Sequence, residues 1–532
     1  MERGSSTFVK QAAILAGASI LVRFIGFLYR LPLTDLIGDQ GNAYYNAGYQ
    51  IYTFFFIMSS AGLPAAISKM VAERIALRRF RDAHLIFRSA LMIAAVAGVF
   101  CGLVVWIGAD FFSSTIVGQP LSRPSLIALA PTLTIVGVMA VFRGYFQGMG
   151  NTVPTALSQI AEQVVNAFFS VFLAYLLMPK GVEYAAAGGT AGTGLGALAG
   201  LAVVGGLYSL ASPRLTARAA KAPKLTQTSN SIIKEILKTA FPIILGTAIL
   251  SYSNMIDTLM ITKRLNASGA FTEIEVAQLF GQFSGKYVVL VTLPVSLSAA
   301  IVAAVIPSIA SSKAMDDREA VRKKINTSLR LSMLLSIPAA IGMSVLGNQI
   351  IGLLFPNQSQ GGSLLQWGAA GIIFLALAQT STGALQGLGY TKIPVYGAIV
   401  GSIVKIPLNY FLIAIPEINV VGAVLSTIAC YFAASCIDMA VLSKKTGIRF
   451  DWMGTFLKPL FSSLIMGVVC YIAYYTIFYL TDRNSVSTLA SVLFGVGAYA
   501  LTMILVKGIN KDDFRNIPFG RQIIRLLDKA RL

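Results

Sequence analysis

Residues 331–391 read LSMLLSIPAAIGMSVLGNQIIGLLFPNQSQGGSLLQWGAAGIIFLALAQTSTGALQGLGYT and contain no Asp, Glu, Lys or Arg. About 20 apolar helical residues cross a bilayer core of about 30 Å, so this stretch is long enough for two membrane-spanning helices. The whole chain has the same character, because 56% of its 532 residues are apolar and only 12% are charged. Those proportions exclude an ordinary water-soluble enzyme and an intrinsically disordered chain.

Outward from this stretch, the hydrophobic pattern predicts an all-α polytopic membrane protein with fourteen transmembrane helices. The predicted spans are residues 8–31, 44–68, 84–108, 124–147, 154–178, 185–210, 232–262, 280–310, 326–354, 364–387, 393–415, 418–443, 455–480 and 486–508.

The distribution of basic residues predicts the orientation, because Lys and Arg accumulate in cytoplasmic loops. Most of the 42 basic residues lie in alternate connections that begin with the N-terminus. The opposite connections hold few: Arg123, Lys180, Lys263, Arg264 and Arg483. We therefore expect a multi-pass protein with both termini in the cytoplasm. The net charge of +20 then reflects topology and gives no reason to expect a nucleic-acid partner.

An internal repeat predicts the domain organisation. The sequence QGMGNTVP at residues 147–154 recurs as QGLGYTKIP at 386–394, and the segment GLPAAIS at 62–68 resembles SAAIV at 298–302. Each copy of the first motif lies between the fourth and fifth spans of a six-span set. The repeat predicts two six-helix lobes in parallel orientation, between which the substrate site alternates in access.

The predicted domains are the lobes at residues 1–225 and 230–448, helices 13 and 14 at 455–508, and an amphipathic cytoplasmic tail at 512–532. In the repeated motif we interpret six residues as a hinge or turn: Gly148, Gly150, Pro154, Gly387, Gly389 and Pro394. The alternative is that these residues serve only helix-turn packing and contact no ligand.

Ionisable residues inside the spans are the candidate site, because burying them in a bilayer is costly. Arg23 and Arg30 are seven residues apart and therefore lie on one helix face, two turns from each other. Two arginines in line suit a diphosphate, which accepts forked hydrogen bonds. The alternative is structural pairing with acids such as Glu162. Lys286 is predicted as a third phosphate contact.

A second group, Asp257, Lys405 and Asn409, belongs to the second predicted lobe. A lone acid in a transporter core binds a coupling H⁺ or Na⁺, but Asp257 paired with Lys405 would be a fixed ion pair. Both readings stay open. The single histidine and four cysteines indicate neither a metal site nor disulfides, so we expect no cofactor.

The first-helix sequence VRFIGFLYR at residues 22–30, with spans arranged as six, six and two, resembles the bacterial lipid II flippases of the MurJ type. These belong to the multidrug/oligosaccharidyl-lipid/polysaccharide exporter superfamily. The segment GLPAAISK at residues 62–69 is similar to the polysaccharide-biosynthesis and spore-cortex branch.

The resemblance implies a flippase, not an enzyme, that moves an undecaprenyl-diphosphate-linked peptidoglycan precursor across the bacterial cytoplasmic membrane. It assigns the diphosphate to Arg23, Arg30 and Lys286, and a lipid-tail groove to helices 13 and 14. Lys405 lies where some relatives bind a cation, so its ammonium would replace Na⁺. Membrane potential, H⁺ and Na⁺ remain alternative driving forces. We expect a monomer, with the cell-wall synthesis machinery as a candidate partner.

Two other functions stay open: a flippase for another lipid-linked oligosaccharide, and a cation-coupled multidrug exporter. A glycosyltransferase would need an outward loop with several carboxylates, and the predicted exterior loops are too short.

Overall fold

The computed structural model describes residues 2–220 and 228–508. Every regular element within these residues is a helix, in agreement with the predicted all-α class. The predicted amphipathic tail, residues 512–532, lies outside the described residues.

The chain divides into two compact units. The first comprises the residues up to Asn266 together with Phe271–Gly281, and the second comprises Ala267–Ala270 and the residues from Gln282 onward. The helices that begin in the first unit are α1 (Glu2–Phe56), α2 (Leu63–Ala76), α3 (Phe80–Ile107), α4 (Arg123–Leu129), α5 (Thr132–Gly148), α6 (Val153–Leu177), α7 (Val182–Ala220), α8 (Ser229–Ser268) and α9 (Glu273–Gly281).

The second unit contains the remaining helices. They are α10 (Val288–Ala314), α11 (Arg318–Val345), α12 (Gly347–Leu354), α13 (Gly362–Gly368), α14 (Ala370–Gly387), α15 (Ile393–Leu412), α16 (Val421–Thr446), α17 (Lys458–Thr481) and α18 (Asn484–Leu505). Short π-helical segments occur at Ile57–Ala61, Phe111–Val117, Gln282–Tyr287 and Met453–Leu457.

Helix α1 reverses direction in its middle. The hydroxyl oxygens of Tyr29 and Tyr45 are 3.5 Å apart although 16 residues separate them. A straight helix would separate residues so spaced by about 24 Å, more than two tyrosine side chains span. The reversal is at Gly38, whose φ of 69° and ψ of −178° form a conformation that is essentially restricted to glycine. Thr34 Oγ1 donates to Asn42 Oδ1 across the bend at 3.3 Å.

Ten of the described helical stretches are long and apolar enough to cross a membrane, and the pair α13–α14, bent by 53°, makes eleven. One of the ten is the continuous stretch Gly17–Ala76, which includes the predicted span 44–68 and residues 17–31 of the predicted span 8–31. Helices α8 and α10 cover two more predicted spans, but some of their side chains lie outside the described set. A multi-pass membrane protein is therefore confirmed, and the count of fourteen spans stays a prediction.

Each unit has its own apolar core. In the first unit, Ile67 of α2, Phe87 of α3 and Tyr145 of α5 pack with Ile232 and Ile236 of α8. The first helix of the predicted second lobe thus packs in the first unit, and the lobes predicted from the repeat stay a prediction. In the second unit, residues of α10, α11, α14 and α16 form the core.

Candidate functional site

The arginine face of α1 is the first candidate site, and it borders α6. Arg23 is exposed and Arg30 is half-buried, with its guanidinium carbon 5.7 Å from the centre of the Tyr45 ring. Gly26 lies between the two arginines on the same face. A Cβ at Gly26 would lie 3.1 Å from Gln163 Nε2 of α6, so α6 passes close beside this face. The face therefore combines two cations, an aromatic ring and a carboxamide.

A ladder of aromatic rings continues from Arg30 along the second arm of α1. Tyr45 stacks on Tyr49 with ring centres 5.8 Å apart, Tyr49 and Tyr52 are 5.5 Å apart, and Tyr52 stacks on Phe56 at 6.2 Å. These positions recur every three or four residues, so they form one stripe of the helix. The electron-rich face of the Tyr45 ring contacts Arg30 without neutralising its charge.

Glu162, the acid that the sequence offered as a partner for these arginines, pairs with Arg143 instead. Arg143 Nη2 is 2.7 Å from Glu162 Oε2, and Arg143 Nε donates to Ser158 Oγ at 2.7 Å. Among the residues that the structure describes, Arg23 and Arg30 have no carboxylate within ion-pair distance. Within this part of the chain, no acidic side chain therefore compensates the positive charges of Arg23 and Arg30.

Lys286 is fully buried in the π-helical segment before α10. Its ammonium donates to the carbonyl oxygens of Gln358 at 2.6 Å and Gln360 at 3.0 Å, and lies 5.7 Å from the centre of the Phe355 ring. In this structure the lysine holds the loop between α12 and α13. A phosphate contact for Lys286 stays a prediction, since in this structure the ammonium is buried against these carbonyls.

The predicted coupling residues lie in different units. Asp257 is buried in α8 of the first unit, while Lys405 and Asn409 are buried in α15 of the second. Asn409 Oδ1 accepts a hydrogen bond from Ser426 Oγ of α16. The pairing of Asp257 with Lys405 and the alternative of a cation site both stay predictions.

The two repeated turns have the same backbone geometry. Gly150 and Gly389 have φ values of 77° and 81°, and each donates its N–H at 2.9 Å to the carbonyl oxygen three residues earlier. Such positive φ values strain any residue with a Cβ. Pro154 and Pro394 lie in the first turns of α6 and α15. In a first turn the backbone N–H groups have no acceptor within the helix, so a proline, which lacks the N–H, costs no hydrogen bond there.

The other two glycines of the motif let helices touch. A Cβ at Gly148 would lie 2.8 Å from the Ser68 carbonyl oxygen, and one at Gly387 would lie 2.9 Å from that of Ile306. Ser68 is therefore equivalent to Ile306. The alignment of residues 62–68 with 298–302 was wrong by one helical turn, since AAI at 65–67 corresponds to AAV at 303–305. These contacts favour helix-turn packing as the role of the motif.

The sequence interpretation overlooked a buried acid, Asp438 of α16, which is only 2% exposed. Its position inside the predicted span 418–443 was a sufficient signal, because the same criterion selected Asp257. Gln163 and the tyrosine ladder were also missed, since neither residue type is unusual in a span. Among the described residues, no three His, Cys, Asp or Glu side chains come close enough to hold a metal ion.

Comparisons with known proteins agree with this architecture. A family model described as polysaccharide biosynthesis protein matches residues 8–313, and the MatE model matches residues 242–411. The lipid II flippase MurJ of Bacillus subtilis is 26% identical over 467 residues, which cover 84% of each chain. The stage V sporulation protein B of the same organism is 24% identical over 525 residues, covering 98% of this chain and 99% of that protein.

Two solved structures show the fold. A lipid II flippase MurJ in an inward closed conformation gives a TM-score of 0.70 at 16% identity and covers 93% of this chain and 99% of that one. An inward-facing multidrug resistance MATE family transporter of the MOP superfamily gives 0.65 at 14% identity, covering 82% of this chain and 98% of that one.

Proposed function

Because the chain belongs to the polysaccharide biosynthesis protein family, we propose that it is a flippase for a lipid-linked glycan precursor. The broader class is supported directly: the homologues are flippases and transporters of the MOP superfamily, which are not enzymes. The specific substrate we propose is lipid II, the undecaprenyl-diphosphate-linked peptidoglycan precursor. We place its transport in the bacterial cytoplasmic membrane, with both termini of the protein in the cytoplasm.

One observation carries the proposal, namely the pair of arginines on α1 that has no acidic partner within residues 2–220 and 228–508. Arg23 and Arg30 lie on one face, and the nearby Glu162 is occupied by Arg143. A buried or half-buried cation in a bilayer protein without a counter-ion is costly unless a ligand supplies the negative charge. A diphosphate supplies it in a form that two guanidinium groups bind through forked hydrogen bonds.

The arginine face suggests how the headgroup is held. Arg23, which is exposed, would meet the diphosphate first, and Arg30 would take it up against the Tyr45 ring. The cation–π contact with the ring does not use up the N–H donors of the guanidinium group, which has five. Gln163 beside Gly26 offers a further donor. The lipid tail would stay in the bilayer beside α17 and α18, the predicted helices 13 and 14.

The driving force is part of the proposal. Each elementary charge that crosses 100 mV contributes about 2.3 kcal/mol, so membrane potential alone can bias the movement of a charged headgroup. Coupling to H⁺ or Na⁺ through Asp257, with Lys405 and Asn409, is the alternative. We expect the protein to act as a monomer and to receive its substrate from the cell-wall synthesis machinery.

Replacing Arg23 or Arg30 with Ala should abolish rescue of a bacterial strain depleted of its lipid II flippase, while the protein stays in the membrane. Arg123→Ala is the matched control, because Arg123 is exposed and pairs with the exposed Asp110. Exposure of lipid II on the outer leaflet is the direct measurement. Normal growth and normal lipid II exposure in both arginine variants would refute the proposal.

A drug exporter is the second candidate, favoured by the MatE match at residues 242–411. It predicts resistance to cationic drugs on overexpression, and that resistance would not require Arg23 or Arg30. Movement of another lipid-linked oligosaccharide without lipid II would indicate a different substrate for the same flippase.

A further inference from the structure

Asp438 of α16 is a buried acid that neither the diphosphate site nor the predicted coupling group uses. One of its carboxylate oxygens, Oδ2, accepts a hydrogen bond from Thr382 Oγ1 of α14 at 2.9 Å. Ser381 Oγ is 3.5 Å from the same oxygen, but it is closer to the Leu377 carbonyl, at 2.8 Å, to which it donates. The carboxylate therefore has one good hydrogen bond, where a stable buried carboxylate accepts two or three.

The second carboxylate oxygen, Oδ1, is buried and accepts no hydrogen bond from any residue that the structure describes. It faces α15 at Gly397, where a Cβ would lie 3.2 Å from Oδ1 and 3.4 Å from the Ala434 carbonyl oxygen. An unpartnered anionic oxygen against a glycine Cα is unfavourable, because nothing there replaces its lost water. The glycine leaves the space that a hydrogen atom on Oδ1 needs.

No basic side chain among the described residues lies within ion-pair distance of Asp438. Of the helices that pack against α16, α13 and α14 carry no ionisable side chain. The ionisable residues of α15 are Tyr396, Lys405 and Tyr410, those of α11 are Arg318, Glu319, Arg322, Lys323, Lys324 and Arg330, and those of α16 itself are Cys430, Tyr431, Cys436, Lys444 and Lys445.

The nearest buried cation on α15 is too far to compensate Asp438. Lys405 follows Gly397 by eight residues, which is about 12 Å along the helix axis. One turn beyond Lys405, Asn409 accepts a hydrogen bond from Ser426. Asp438 therefore forms a site separate from the predicted coupling group.

We propose that Asp438 is a proton-binding site, occupied through Oδ1, and that the flippase exchanges this proton during transport. An uncompensated charge in such surroundings is strongly unfavourable, and protonation removes the charge. A metal cation at Oδ1 would need several oxygen ligands. Oδ1 faces Gly397, whereas the Ser381 and Thr382 hydroxyls face the other oxygen, Oδ2, so the surroundings favour a proton over a metal cation. The coupling role rests on the proposed function, but proton binding does not.

Infrared spectroscopy of the full-length protein in lipid vesicles tests proton binding without any substrate. We expect a carbonyl-stretch band of a protonated carboxyl group that disappears as the pH is raised and is absent from Asp438→Asn. Asp482→Asn is the control, because Asp482 is an exposed acid between α17 and α18. A band that Asp438→Asn leaves unchanged would overturn the proposal. Loss of the band on adding Na⁺ at constant pH would also overturn it, in favour of a cation site.

Transport tests the coupling role. In vesicles with the membrane potential clamped, the rate of fluorescent lipid II movement should depend on an imposed pH gradient. Asp438→Asn should lose this dependence while Asp482→Asn keeps it. If Asp438→Asn keeps the dependence, the coupling role is wrong. If the infrared band behaves as expected but lipid II does not move in the wild type, the proposed function fails and the proton site stands.

Discussion

Glu162→Gln tests whether Glu162 forms its ion pair with Arg143 or with the arginines of α1. Arg143 and Glu162 are 2.7 Å apart, with side chains 14% and 27% exposed. At an effective dielectric constant of about 20, two unit charges about 4 Å apart attract by about 4 kcal/mol, and this pair is at least that close. Removing one partner of a buried pair costs about 3–5 kcal/mol, because the other charge stays buried. Since both side chains keep some exposure, we expect the lower end, about 3 kcal/mol.

A double variant distinguishes the loss of the Arg143–Glu162 ion pair from the effect of leaving one of its charges buried without the other. Arg143→Gln with Glu162→Gln leaves two neutral groups of similar volume, so stability should return to within about 1 kcal/mol of the wild type. Asp110→Asn is the matched control. It breaks the exposed pair with Arg123 and should change stability by less than about 1 kcal/mol.

Thermal unfolding in detergent measures these differences. Trp106 lies in the first unit, whereas Trp367 and Trp452 lie in the second. A Trp367→Phe, Trp452→Phe background therefore reports on the first unit through Trp106. At about 2–4 °C per kcal/mol for a domain of about 150–250 residues, Glu162→Gln should lower the melting temperature by about 6 °C or more.

Two results would refute this reasoning. The first is a double variant that melts no higher than Glu162→Gln, which would mean that Arg143 is not the partner of Glu162. The second is rescue of Glu162→Gln by Arg30→Ala, which would mean that Glu162 neutralises the first-helix arginines. The observation behind the proposed diphosphate site would then be lost.

Two further outcomes follow from close contacts in the second unit. Gly387→Ala should destabilise the protein by about 1–3 kcal/mol, because its Cβ would lie 2.9 Å from the Ile306 backbone oxygen. Gly205→Ala is the control, because the space around Gly205 is open. Equal melting temperatures of the two variants would contradict the packing role of Gly387. Lys286→Met should cost about 2–3 kcal/mol, because the carbonyl groups of Gln358 and Gln360 lose a charged donor. Hydrogen exchange in residues 355–361 should rise, and unchanged exchange would mean that the lysine does not hold this loop.

The membrane character and the all-α class were predictable because they depend on composition summed over many residues. A stretch such as 331–391 is apolar enough that no water-soluble fold could bury it. The repeated turn was predictable for a similar reason, since glycine at a positive φ and proline in a first helical turn are local requirements. Both Gly150 and Gly389 meet that requirement in the structure.

The register of the repeat was not predictable. Small and apolar residues recur so often between positions 62 and 71 and between 298 and 309 that shifts of one helical turn look alike in sequence. The contacts of Gly148 and Gly387 decide between them. The split of the chain was likewise undecided, because which core α8 joins depends on packing across the chain and not on repeat spacing.

The sequence by itself determined that this chain is a helical membrane protein and selected the few ionisable residues within its spans, because the cost of burying charge in a bilayer makes such residues rare. Only the tertiary structure decided how they are used. Glu162 pairs with Arg143, Lys286 binds a loop and Arg30 contacts an aromatic ring. One oxygen of Asp438 has no hydrogen-bond partner among the described residues. Pairing depends on distances of a few ångströms between side chains that the folded backbone brings together, and the spacing of residues along the sequence does not specify those distances.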